Sequence, residues 1–404
     1  MGSRLCKIEL GRRPGYQGPD PSDGHPVDAE AVDDDRHAHA AGPGGEPTVD
    51  WSIEVNGVRR LRGPVVDDHL YVTTVPAGSG GRARLLVVDP SAESVRRRRA
   101  VPDDPGTVGA PVVHRGRVLV LATADGTTTL HAWDADTGEH RWRQRIERPW
   151  RVHARSPTVA GGVAYVRSDH GLVAVDVESE SVDWRRDAFD VVRDLRRPAV
   201  AGDHVVVHET SQRTAGAGIA IAVVGIDGDL QWQRRLHPGP GFATAAAPVT
   251  DGTSVFVTVA NYFKGSLEEI PSGPPERDRG GVLALDAASR ETQWELSLRW
   301  PVAGAALAGR TLLVTTVWNR ESQIHAVDVD ERRVRWTAPV DTTGTLAVTP
   351  ETAYTRSSGL VAVDLDEQAP RWRYEPDGTV MNPVVVDDAI YAWNDIPDNP
   401  PQLV

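Results

Sequence analysis

Residues 130–142 read LHAWDADTGEHRW: an apolar run ending in Asp134, a polar turn, then Trp142 eight residues after the Asp. Weaker copies stand at 172–184 (LVAVDVESESVDW), 282–294 (VLALDAASRETQW), 324–336 (IHAVDVDERRVRW) and 360–372 (LVAVDLDEQAPRW). They pair Asp176 with Trp184, Asp286 with Trp294, Asp328 with Trp336 and Asp364 with Trp372. A shortened copy at 223–232 (VVGIDGDLQW) has Asp227 and Trp232, and one at 85–97 keeps Asp89 but has Arg97 where Trp is expected. A repeat of this period marks a solenoid, propeller or array, in which each unit covers its apolar face by stacking on the next.

Around every copy, apolar and polar residues alternate, Val, Thr and Ile abound, and the i, i+3, i+4 spacing of helices is missing, so the units are built of strands. The second unit divides into four, at 111–113, 117–123, 129–134 and 140–146, separated by His-Arg-Gly, Asp-Gly and Thr-Gly turns. Four short antiparallel strands per repeat describe one propeller blade. Two residues before the Asp stand Ala132, Ala174, Ala284, Ala326 and Ala362, with Gly225 and Val87 in the other copies. Small side chains there let neighbouring sheets approach, and a Trp, which buries about 150–250 Å², fills the wedge between blades.

With Asp and Trp so spaced, the chain from Val49 onward resembles the tryptophan-docking repeats of the pyrroloquinoline quinone (PQQ)-like propeller family, in which A-x-D-x-x-T-G-x-x-x-W closes each blade. A WD40 propeller is the competitor, but the dipeptide Trp133-Asp134 occurs once. Only the second copy has glycine, Gly138, in its turn; Glu93, Glu180, Arg290, Arg332 and Gln368 stand in the others. A non-glycine residue in the left-handed conformation costs about 1–2 kcal/mol, so these turns are expected to be altered in type or mildly strained.

The expected fold is all-β, an eight-bladed propeller of four-stranded antiparallel blades. Seven blades run over about 63–101, 110–146, 156–187, 197–236, 247–298, 302–339 and 344–374. Residues 50–55 (DWSIEV) look like a last strand without its first three, and 383–386 and 389–393 like a first and second strand without successors. Joining them gives an eighth blade from both ends of the chain, closing the ring by strand pairing. Residues 1–47, rich in Gly, Pro, Asp and His, are expected to form a disordered acidic tail before a propeller over 48–404.

A net charge of −13 and a pI near 5.5 argue against a nucleic-acid partner. Lys occurs only at Lys7 and Lys264, a bias that fits a salt-loving host and equally fits codon usage alone. Cys6 is the only cysteine, which excludes an intrachain disulfide. There is no apolar signal region and no run long enough to span a bilayer. Leu5-Cys6 before an acidic tether reads either as a remnant of a lipid anchor of the kind family members carry or as an ordinary thiol. His37 and His39 with Asp33–Asp35 nearby could hold a metal loosely, but a solvated tail explains them better.

Enzymes of the resembling family are quinoprotein dehydrogenases that hold PQQ and calcium in the central channel beside a catalytic Asp and adjacent cysteines. One cysteine cannot supply that pair, no haem attachment motif is present, and no calcium ligand set is matched, so no catalytic residue, cofactor or metal site is assigned. There is also no G-x-S-x-G, H-E-x-x-H or Walker motif. Binding residues are sought in two places. Arg62, Arg155 and Arg197 stand one or two residues before a Pro that opens a first strand, with Asn382 in the matching place of the closing blade. They would meet at one mouth of the channel, where guanidinium groups bind carboxylate or phosphate, or else pair with neighbouring Asp. A Pro/Gly-rich insertion at 260–281 offers Tyr262, Phe263 and Lys264 for a partner. The arginines around the Trp positions, Arg141, Arg143, Arg145, Arg185 and Arg186, read as a solvated face.

The functional expectation is a non-catalytic, monomeric scaffold for a protein partner or anionic small ligand, similar to the scaffold proteins of envelope assembly and placed outside the cytoplasm or at the cell surface, with the cytoplasm as the alternative because no signal region is visible. The alternative is a divergent PQQ- and calcium-dependent alcohol or sugar dehydrogenase.

Overall fold

A computed structural model describes residues 2–9, 47–56, 58–76, 81–147, 156–168, 171–187, 197–210, 219–236, 242–244, 246–261, 280–318, 321–342, 344, 346–356, 359–375, 379–386 and 389–396. Every regular element among them is a strand, and the strands form eight antiparallel sheets. Sheet 1 consists of Val58–Val66, Leu70–Pro76, Arg84–Asp89 and Ser94–Ala100, paired in sequence order. Sheet 3 (Thr158–Ala160, Val163–Ser168, Gly171–Asp176, Ser181–Asp187) and sheet 4 (Ala199–Ala201, His204–Thr210, Ile219–Gly225, Leu230–Leu236) follow the same order. So do sheet 6 (Val302–Ala308, Thr311–Trp318, Glu321–Asp328, Arg333–Pro339) and sheet 7 (Leu346–Val348, Thr352–Arg356, Leu360–Asp364, Ala369–Tyr374).

In sheets 2 and 5 the first strand is split into two pieces on one partner. Thr107–Val108 and Val112–His114 both pair with Arg117–Ala124, and Phe242–Thr244 and Val249–Thr250 both pair with Ser254–Asn261. Thr127–Asp134 and His140–Glu147 complete sheet 2, and Gly280–Asp286 and Thr292–Leu298 complete sheet 5.

Sheet 8 joins the two ends of the chain in the order Thr379–Val386, Ala389–Ile396, Gly2–Glu9, Thr48–Asn56. Its third strand corrects the expected tail over residues 1–47, because Gly2–Glu9 pairs in register with both neighbours, Cys6 lying between Ser52 and Ala392. The alternation in SRLCKIE and the two open strand edges it satisfies are the physical reason. Cys6 therefore sits in mid-strand. Residues 10–46, with His37, His39 and Asp33–Asp35, lie outside the described residues.

The first strands of the sheets touch in cyclic order, that of sheet 8 meeting those of sheets 7 and 1. The core is divided accordingly into eight clusters, one for each pair of successive sheets. Trp142, Trp232, Trp294 and Trp372 are buried at their interfaces, as is Trp51 between sheets 8 and 1, while Trp184 and Trp336 are half-buried. The interface between sheets 1 and 2, where Arg97 replaces Trp, is filled instead by Trp133 from sheet 2, 1 % exposed.

The small residue before the Asp lies in the cluster between successive sheets and has a further role within its own sheet. Ala174 lies between Tyr165 and Trp184 in register, so the two rings meet over it at 6.0 Å. Phe256 and Trp294 meet over Ala284 at 5.8 Å, and Tyr354 and Trp372 over Ala362 at 5.9 Å. The alanine gives two rings of one sheet room to touch, at separations typical of favourable aromatic pairs. In the shortened copy this place belongs to Val223, opposite Trp232, and Gly225 ends the strand, opposite His204.

Candidate functional site: the arginine-bearing end of the sheets

The recurrent Asp residues hold their turns. The Oδ1 of Asp89, Asp176, Asp286, Asp328 and Asp364 accepts N–H bonds from the residues two and three further on, at 2.5–3.0 Å. Asp134 accepts the N–H and hydroxyl of Thr137 and the Arg141 guanidinium, which hold its carboxyl down at about 2. The left-handed turn is retained without glycine: φ is 51° at Glu93, 61° at Glu180, 64° at Arg290, 59° at Arg332 and 59° at Gln368, beside 66° at Gly138. Each third-to-fourth strand pair then carries a β-bulge, and the extra residue faces back to the Asp. Arg141 pairs there with Asp134, Arg335 with Asp328, and Arg371, almost fully buried, with Asp364. In sheet 3 the place holds Asp183, whose carboxyl is raised by burial and by the Asp176 charge.

The arginines of the outer strands are more than a solvated face. Arg186 donates to the Gly228 carbonyl of sheet 4 at 2.9 Å, and Arg185, on the opposite face, to the Ile146 carbonyl of sheet 2 at 2.6 Å. Arg143 bonds both oxygens of Asp103 at 2.8 Å. These side chains tie sheet to sheet, because a strand whose two faces meet two neighbours presents alternate residues to each.

Antiparallel order puts the starts of the first strands, the ends of the second strands and the two points where sheet 5 is left and rejoined, Asn261 and Gly280, at one end of the sheets. Arg62 lies there in the first strand of sheet 1, in register with Thr73 and beside a bulge at Gly63, where φ is 101°. Arg197 directly precedes Pro198, whose carbonyl accepts the Thr158 hydroxyl at 2.7 Å across the interface of sheets 3 and 4. Both arginines are half-buried, both are already engaged with other groups, and they belong to sheets that are not neighbours. Asn382 lies in Thr379–Val386 at the irregularity between Met381 and Val384. Arg155, Tyr262, Phe263 and Lys264 lie outside the described residues. The insertion leaves and rejoins sheet 5 at Asn261 and Gly280; a Cβ on Gly280 would stand 2.1 Å from the Trp300 carbonyl oxygen, so only glycine fits.

Two further arginines at this end were not singled out by the sequence. Arg167 is 8 % exposed, and Arg356 is half-buried with its pKa lowered by desolvation. Each stands two residues after the ring-stacking tyrosine, Tyr165 or Tyr354. In sheets 1 and 6 the same place holds Thr73 and Thr315, whose hydroxyls donate to the backbone carbonyls of Gly109 and Gly344 in the next connection. The alignment of second strands on the tyrosine is the signal that finds them. Guanidinium groups are bidentate donors to carboxylate or phosphate, and all four at this end are already engaged with other groups.

The single cysteine lies in the third strand of sheet 8, away from the first strands. Among the described residues no three His, Cys, Asp or Glu side chains are grouped to hold a metal, and no helix is long and apolar enough to cross a membrane.

Residues 107–265 match the family model described as outer membrane protein assembly factor BamB. BamB from Moraxella catarrhalis is similar in structure at a TM-score of 0.53 and 14% identity, over 85% of this chain and 98% of that one. A quinohemoprotein alcohol dehydrogenase from Pseudomonas putida HK5 is similar at 0.53 and 12% identity, over 84% of this chain and 75% of that one. No curated protein sequence matches. The repeat, the eight sheets and these likenesses define an all-β propeller. The chain has the fold of a β-propeller, and its residues 107–265 carry a repeat of the kind that the BamB family model describes.

Proposed function

We propose that the chain is a non-catalytic binding scaffold that takes an anionic ligand, or a protein partner presenting one, at the arginine-bearing end. The observation that carries this reading is the placement of Arg167, nearly buried, with Arg62, Arg197 and Arg356 at the end where the 260–281 insertion also leaves its sheet. A poorly solvated guanidinium gains most from a bidentate anion. The likeness to BamB supports a scaffold at the cell envelope, and the lone cysteine counts against a dehydrogenase.

The deciding experiment is a titration of the full chain with PQQ and calcium, read by absorbance and by dye reduction over alcohols and sugars. Saturable binding with turnover would replace this reading by the dehydrogenase. No turnover, together with capture of a partner that is lost on deleting residues 264–279 while the thermal transition is unchanged, is the expected result.

A further inference from the structure

The outer strand of sheet 1, Ser94–Ala100 (SVRRRRA), is hydrogen-bonded on one side only, to Arg84–Asp89, so its other side presents unpaired N–H and C=O groups. Every outer strand has such an edge; the side chains set this one apart. Arg97 and Arg99 turn toward sheet 2, where Arg97 covers Gly138 and Arg99 donates to its carbonyl at 2.8 Å. Arg96 and Arg98 alternate to the other face and are exposed.

Elsewhere the corresponding arginines are neutralised from within the chain: Arg141 by Asp134, Arg335 by Asp328 and Arg371 by Asp364 at the bulge, Arg143 by Asp103 and Arg373 by Asp341 two residues further on. In sheet 1 Arg96 meets His69 Nε2 at 2.6 Å, while Asp89 is occupied by the Ser91 hydroxyl at 2.6 Å. Arg98 makes no hydrogen bond or ion pair among the described residues. The cause is local, since Asp103 and Asp341 lie in the connection that follows the preceding sheet, and between sheets 8 and 1 that connection is Gly57 alone.

We propose that this edge receives an extended acidic segment of a partner protein as a fifth strand of sheet 1, with carboxylates at alternate positions against Arg96 and Arg98. Residues two apart on paired strands share one face and one spacing, so two charge pairs form while the backbone ladder continues. A nucleic acid is the poorer occupant, because phosphate cannot use the alternating N–H and C=O groups of the edge. This surface is separate from the arginine-bearing end and is tested separately.

The test is fluorescence anisotropy of the full chain with a labelled seven-residue peptide carrying Glu at alternate positions and Val between them, at low and high salt. R98S and the double variant R96S/R98S should weaken binding, the double by about tenfold, with an unchanged thermal transition. Backbone N-methylation of the peptide at alternate residues should abolish binding. Three results would overturn the proposal: affinity indifferent to both variants, equal affinity for the N-methylated peptide or for an oligonucleotide of equal charge, or binding that appears only after residues 18–40 are deleted. The last would make this chain's own acidic stretch the occupant.

Discussion

The interfaces between sheets 3 and 4 and between sheets 1 and 2 solve one packing problem from opposite sides. In the first, Trp184 leans forward from the outer strand of sheet 3, lies on Gly228 of the next turn, and donates its indole N–H to the Ile226 carbonyl at 2.7 Å. In the second, the outer strand offers Arg97, and the apolar volume comes back from sheet 2 as Trp133, edge-on to His140 at 5.1 Å. The wedge is fixed by the geometry of stacked sheets, while the residue that fills it can come from either. A lost Trp in a repeat is therefore not a lost interface.

The largest effect is expected from removing the filler. W133A should cost about 3–5 kcal/mol by chemical denaturation, since it opens a cavity lined by Tyr71, Val87 and Val118. R97W in the parent should itself destabilise, because the wedge is already full, yet in the W133A background it should recover part of the loss. Simple additivity of the two changes would break the comparison.

Acid comes next. His131, on the same face as Trp133, and His325 in sheet 6 are buried, and burial pushes each pKa from 6.5 down to about 4. Between those values each is neutral when folded and charged when unfolded, so stability falls with pH through that window and not below it. About 3 kcal/mol per histidine is expected, and H131Q should flatten its share of the pH profile.

Turn glycines sharpen the contrast further. A Cβ at Gly228 would stand 2.7 Å from the rigid Trp184 ring, whereas at Gly138 it would meet the flexible Arg97 side chain at 3.0 Å; φ is 90° and 66°. G228A should cost about 2 kcal/mol or more and G138A about 1, with E180G changing stability in the opposite direction. The smallest effect concerns the indole N–H. W184F should lose about 1 kcal/mol more than W142F, because the Trp142 nitrogen is buried without a partner among the described residues.

Much of this fold is legible in one repeated phrase. Asp and Trp at constant spacing announce the turn, the bulge and the interface, and the expected strain at Glu93, Glu180, Arg290, Arg332 and Gln368 appears as positive φ. The ring contact over the alanine is not legible in sequence, because Tyr165, on another strand, meets Ala174 only in register. Strand Gly2–Glu9 carries no such phrase: it has no Asp turn, Lys7 occupies the slot that Ala fills elsewhere, and its partners are distant in sequence. At the candidate site, Pro-linked arginines drew attention to the first strands, while Arg167 and Arg356 on the second strands carry no local signature.

Sheet 8 also bears on the order of events during synthesis. Gly2–Glu9 and Thr48–Asn56 leave the ribosome early enough to pair with each other while Thr379–Val386 and Ala389–Ile396 are still to be made. Sheets 1 to 7 can each form and stack as they appear, being local in sequence, whereas the final sheet waits for nearly the whole chain and bears the largest loop-closure entropy. A ribosome that stalls before Thr379 therefore leaves an exposed edge on Gly2–Glu9 for chaperones and proteases to recognise, so the chain reports its own incompleteness.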